Sequence, residues 1–173
     1  MFKLEDMPGL FSLFREKFDQ ELKNLNELDS AVGDGDHGFT MSRTMQAAEN
    51  AAQGKFNHLG ELFDAVAEAM AENAGGAIGP LLASFFAEGG IIFKGKNEIS
   101  QDSFKDFLTS GLLAVQDIGG AKPGDKTLVD ALAPASEAAS GDDLENGLKN
   151  AAAAARHGAE ETAGLTAAHG RAS

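Results

Sequence analysis

The chain has 173 residues, with 27 acidic against 14 basic side chains, a formal net charge of −13 and no cysteine. At that size a single domain buries roughly 70% of its unfolded surface. The charge repels nucleic acid and anionic lipid, and the missing thiols exclude disulfides, thiolate metal sites and a cysteine nucleophile. Any phosphate ligand must therefore arrive with metal. The amino-terminal run MFKLEDMPGL lacks the basic-then-apolar order of a signal peptide, and no apolar run reaches the roughly 20 residues that span a bilayer. These features predict a soluble, cytoplasmic protein with no nucleic-acid and no membrane partner.

In chain order, Leu10, Phe11, Leu13, Phe14, Phe18, Leu22 and Leu25 recur at helical spacing and predict a first amphipathic helix. A second is expected over residues 39–52, and Leu59, Leu62, Phe63, Val66 and Met70 mark a third. Further helices are expected over residues 80–93, 103–118, 127–139 and 144–163. The connections AQGKFN, KGKNEIS, GGAKPGD and SGDD carry the Gly, Asn and Pro of turns. The run NAAAAARHGAEETA reads as a packed helix, because alanine is the strongest helix former and lets helices approach closely. Period-two runs of β-branched and aromatic residues are scarce. The expected fold is a single all-α domain over residues 1–173, an antiparallel bundle or barrel of amphipathic helices.

Three glycine-rich loops, GDGDHG, NAGGAIGP and GGAKPGDKT, each precede a predicted helix. A helix amino terminus presents unpaired N–H groups and a partial positive charge, which suits phosphate. In the first loop Gly33, Gly35 and Gly38 spell G-x-G-x-x-G, but a dinucleotide turn follows a strand and brings bare backbone to a pyrophosphate. Here the polar, helix-like QELKNLNELDS precedes it, and Asp34, Asp36 and His37 fill the variable positions, so two carboxylates would face an anion. The loop asks for a cation instead. Asp29, Asp34 and Asp36 cannot share one helical face, yet the intervening glycines let the chain fold back and converge their oxygens. Mg²⁺ divides an octahedral oxygen shell between a few carboxylates, waters and phosphates, so three aspartates suit one or two such ions. The EF-hand frame for calcium is absent. Two plainer alternatives stand beside this reading: Asp36 caps the helix that begins near Gly38, and NAGGAIGP is only a turn. Neither a Walker A motif nor a kinase-type catalytic loop occurs.

The segments LDSAVGDGDHGFTM, GGAIGPL, KPGDKTLVDALAP and HGRAS, in that order and spacing, resemble the nucleotide-binding L subunit of dihydroxyacetone kinase (a DhaL- or DAK2-type domain) and the matching carboxy-terminal domain of single-chain ATP-dependent kinases. The resemblance covers nearly the whole chain. It implies an eight-helix antiparallel barrel that binds ADP or ATP at one end through two Mg²⁺ ions. It implies that Asp29, Asp34 and Asp36 ligate the metals, that His37, Gly38, Phe39, Thr40, Ala77 and Ile78 meet the phosphates, that Gly119 and Leu128 lie near the base, and that Arg171 covers the nucleotide. It further implies a phosphotransferase acting with a dihydroxyacetone-binding K subunit and a phosphohistidine-carrying M subunit of the phosphoenolpyruvate-dependent system, and it leaves a homodimer open. Two positions depart from the family pattern. Ile78 stands where a small hydroxyl residue is usual, and the family continues beyond GRAS into an Asp-Pro-Gly turn and a last helix. The competing class is a non-catalytic nucleotide or divalent-metal sensor of the same fold.

Overall fold

The computed structural model describes residues 2–170 and 172–173. Seven α-helices run α1 Met7–Ser30, α2 His37–Ala52, α3 Leu59–Asn73, α4 Ile78–Ile92, α5 Gln101–Gly119, α6 Val129–Ala138 and α7 Leu144–Glu161. Each helix packs against its neighbour in chain order, so successive helices alternate in direction. The eighth helix expected from the resemblance is not among the described residues. No described helix is long and apolar enough to cross a membrane.

The helix ends differ from the periodicity in explicable ways. α2 starts at His37 and α4 at Ile78, two residues before the apolar pattern, because first-turn residues carry helical backbone without needing a buried side chain. The last helix ends at Glu161 and tightens into a 3₁₀ turn over Thr162–Gly164. One feature runs against the all-helical expectation: Phe2–Lys3 (β1) and Glu98–Ile99 (β2) form a two-residue antiparallel pair, Phe2 opposite Ile99. Its register is local and leaves no period-two run to read.

The main core is built from phenylalanine. The Phe63 ring on α3 lies 6.4 Å from that of Phe11, 6.2 Å from Phe86, 4.9 Å from Phe93 and 5.3 Å from Phe107, joining α1, α3, α4, α5 and the turn after α4. Such ring pairs add about 0.5–1.5 kcal/mol each beyond the area they bury. The last two helices pack through small residues, with Ala135, Ala139 and Ala151 forming a separate buried cluster. The alternation has one functional consequence: the α1–α2, α3–α4 and α5–α6 loops gather at the same end of the bundle.

Candidate metal centre and adjoining cleft

The carboxylate cluster begins where α1 stops. Asp29 lies in the last turn of α1, where the carbonyl ends already disfavour negative charge, and Val32 N–H and Gly33 N–H donate to its backbone oxygen. The chain then reverses through Gly35, whose φ of +75° is strained for any L side chain. This reversal lets Gly35 N–H and Asp36 N–H donate to Asp29 Oδ2 at 2.8 and 3.1 Å. One oxygen of each of Asp29, Asp34 and Asp36 lies within 4.8 Å of the others. Oxygens opposite each other in a Mg²⁺ octahedron stand about 4.2 Å apart. Three carboxylate oxygens at this spacing fit a hard divalent cation.

Asp36 is the N-cap residue of α2, but its side chain makes no capping hydrogen bond. The alternative reading of Asp36 as a helix cap thus holds for its backbone only, and its carboxylate faces the cleft. The same contrast divides the two ends of the bundle. At the cluster end the N-cap residues Asp36, Ala77 and Leu128 place no side chain of their own on α2, α4 and α6, although Asn26 Oδ1 accepts from Gly38 N–H and Thr127 Oγ1 from Val129 N–H. At the far end, His58, Ser100 and Asp143 each accept from the third backbone N–H of α3, α5 and α7. Uncapped amino termini cost stability unless something else accepts from them.

Two clefts open at this end. The polar one, about 400 Å³, is lined by Asp29, Asp34, Asp36, His37, Thr40, Arg43 and the Gly75–Ile78 turn. The apolar one, about 520 Å³, is lined chiefly by Leu81, Val115, Ile118, Gly119, Leu128 and His169. Ala77 belongs to both, so the two clefts adjoin at that residue. Of the residues named from sequence, Asp29, Asp34, Asp36, His37, Thr40, Ala77 and Ile78 meet in the first cleft and Gly119 and Leu128 in the second. Ile78 also packs on the phenylalanine core. Gly38 and Phe39 line neither: Gly38 is buried with its N–H donated to Asn26 Oδ1 at 2.7 Å, and the Phe39 side chain is 61% exposed. Arg171 lies outside the described residues.

Arg43 and His169 were missed. Arg43 follows His37 and Thr40 at intervals of three along α2, a spacing that could have exposed it. His169 sits inside HGRAS but reaches its place only through tertiary contacts. The segment after α7 returns across the α5–α6 loop, where Ala168 N–H donates to Asp125 O, Lys126 Nζ donates to Leu165 O at 3.1 Å, and His169 Nε2 lies 3.1 Å from Asp125 Oδ2. Asp130 holds the same loop by accepting from Gly124 N–H and Thr127 N–H.

Asp125 carries a pH dependence. The Lys122 backbone N–H, and after it His169, hold its carboxyl below the ordinary carboxylate range. A carboxyl depressed in the folded state contributes stability that is complete above its unfolded pKa, about 3.9, and is lost as pH falls below it. The melting temperature of the parent should therefore exceed that of Asp125→Asn above about pH 5. That margin should close as the pH is lowered past about 4. A gap unchanged at pH 3 in a thermal-melting series would refute the assignment.

The fold and this geometry define a predominantly helical domain in which three convergent carboxylates, fit for a divalent cation, adjoin a partly apolar cleft. The DAK2 domain family matches residues 31–173, and the chain belongs to that family. It is 34% identical over 166 residues to the ADP-binding subunit DhaL of the PTS-dependent dihydroxyacetone kinase of Lactococcus lactis, covering 92% of this chain and 78% of that protein. It is 34% identical over 154 residues to the L-erythrulose 1-kinase of Mycolicibacterium smegmatis, covering 86% of this chain but only 27% of the kinase. The crystal structure of the C. freundii dihydroxyacetone kinase in complex with AMP-PNP and Mg²⁺ superimposes with a TM-score of 0.73 at 28% identity, over 92% of this chain and 29% of that one.

Proposed function

We propose that the chain is the ADP/ATP-binding unit of a dihydroxyacetone kinase, passing a phosphoryl group from Mg²⁺-bound nucleotide to dihydroxyacetone or a related ketose held on a separate K subunit. The observation that carries this reading is the junction at Ala77. A carboxylate cleft and an apolar cleft meet there beside the α4 amino terminus, which carries no side-chain cap, a layout that matches the charged and apolar parts of a nucleotide. When bound, Mg²⁺·nucleotide supplies the phosphoryl group and the cations that neutralise it.

The protein's own part is to hold and orient. Asp29, Asp34 and Asp36 would hold the metal ions, with Asp29 positioned by the Gly35 and Asp36 amides that donate to its Oδ2. The α4 amino terminus at Ala77 and Ile78 offers backbone N–H groups to phosphate, which replaces the hydroxyl that Ile78 lacks. Leu81, Val115 and Leu128 shield the base from water. Similarity to a separate DhaL subunit over 92% of the chain supports the multi-subunit arrangement, in which an M subunit recharges bound ADP in the cytoplasm. The chain matches only 27% and 20% of two longer relatives, an L-erythrulose 1-kinase and a dihydroxyacetone kinase, and direct use of ATP stands as the second donor route of this proposal.

Denaturing the purified protein should release ADP or ATP, with magnesium found in the native sample by elemental analysis. Adding K subunit, dihydroxyacetone and either ATP or the phosphoenolpyruvate-dependent donor should then give dihydroxyacetone phosphate. Tight nucleotide binding without transfer under either donor would establish the sensor reading instead.

A further inference from the structure

We infer that Arg43 is the cation that receives the terminal phosphoryl group in the carboxylate cleft, and so distinguishes a triphosphate from a diphosphate. The inference rests on the nucleotide reading proposed above. In this acidic protein a surface arginine finds carboxylates readily. Arg15 on α1 does so, pairing with Asp19 at 2.5 Å and with Glu49 across on α2 at 2.7 Å. Arg43 lines a cleft with three aspartates, yet among the described residues no carboxylate lies within 4.0 Å of it.

Its Nε donates instead to the backbone oxygen of Asn73, at the carboxyl end of α3, at 2.8 Å. That carbonyl is one of the last of a helix and has no partner within it. The bond fixes the plane of the guanidinium while leaving its two terminal nitrogens uncommitted to any acid. The facing turn has no side chain to occupy them: Gly75 and Gly76 are adjacent, and a Cβ on Gly75 would stand 3.3 Å from Arg43 Nη2. A planar fork held by its stem and open at its tips is suited to two oxygens of one tetrahedral anion. Metal ions on the three carboxylates turn that side of the cleft from repelling to attracting such an anion.

The test is calorimetric titration of parent, Arg43→Gln and Arg43→Lys with ADP·Mg²⁺ and with AMP-PNP·Mg²⁺, at one salt concentration. Arg43 is exposed and gives up one surface hydrogen bond, to Asn73 O, so both variants should melt within about 5 °C of the parent. Arg43→Gln should weaken AMP-PNP by about 10-fold or more, the loss of a charge-assisted pair, and leave ADP within about 3-fold. Arg43→Lys should fall between, because it keeps charge but not the fork. Equal losses for both ligands, or no loss for either, would overturn the inference while leaving the nucleotide reading intact. A parent that binds neither ligand would overturn the nucleotide reading and the inference with it.

Discussion

Asp36→Asn should abolish Mg²⁺-dependent ADP binding while leaving the helical circular dichroism unchanged. The substitution conserves size and removes one negative charge from three carboxylates whose oxygens lie within 4.8 Å of one another. It spares the fold because the Asp36 carboxylate caps nothing, whereas Asp29 also accepts two backbone N–H groups and would confound loss of metal with loss of the loop. Changes around a metal's outer shell typically cost about 10- to 100-fold, so removing a direct ligand should exceed about 100-fold. Without metal, relief of like-charge repulsion should leave the variant at or slightly above the parent's melting temperature. Titration calorimetry that found ADP·Mg²⁺ affinity unchanged would remove Asp36 from the metal centre.

The second large effect has a sign that helix propensity gets wrong. Gly38→Ala lies in the first turn of α2, where alanine is ordinarily favoured over glycine by about 0.5–1 kcal/mol. Here a Cβ would stand 2.1 Å from the backbone oxygen of Leu22 and 2.8 Å from Asn26 Oδ1, so α1 and α2 must separate. Overpacking costs about 1–3 kcal/mol, and a rigid backbone atom with a lost Asn26 hydrogen bond puts this case at the upper end. Packing therefore outweighs propensity, and the melting temperature should fall by roughly 5–10 °C. Gly9→Ala in α1, with nothing within 4 Å of its Cβ, serves as the control and should be neutral or stabilising. A Gly38→Ala variant as stable as that control would mean that the close crossing of α1 and α2 is wrong. Because the crossing places His37 and Asp36 against the end of α1, the same variant should also weaken metal binding.

The helices and the acidic loop were legible because their signals are local. Apolar residues at i, i+3 and i+4 set which face of α3 is buried, and Gly35 between Asp34 and Asp36 sets where the chain can reverse. What was not legible follows from the same fact. Periodicity says that a face is buried but not what covers it, so Gly38 could be expected to meet a phosphate when its N–H is taken by Asn26, twelve residues upstream. The phenylalanine core likewise joins α1, α3, α4 and α5 by contacts that no single segment encodes.

By itself the sequence determined the chemistry and the segments that hold it. A carboxylate-rich loop that asks for a cation, three glycine-rich turns before helices and an acidic, cysteine-free helical chain all depend on residue types at short separation. Only the tertiary structure decided which of these share a cleft. Alternating helix directions bring the three loops to one end, the hydrogen bond from Arg43 to Asn73 spans 30 residues, and the contact between His169 and Asp125 spans 44. Contacts at such separations are set by helix crossings and side-chain volumes summed over the whole core, quantities that no short window of residues contains.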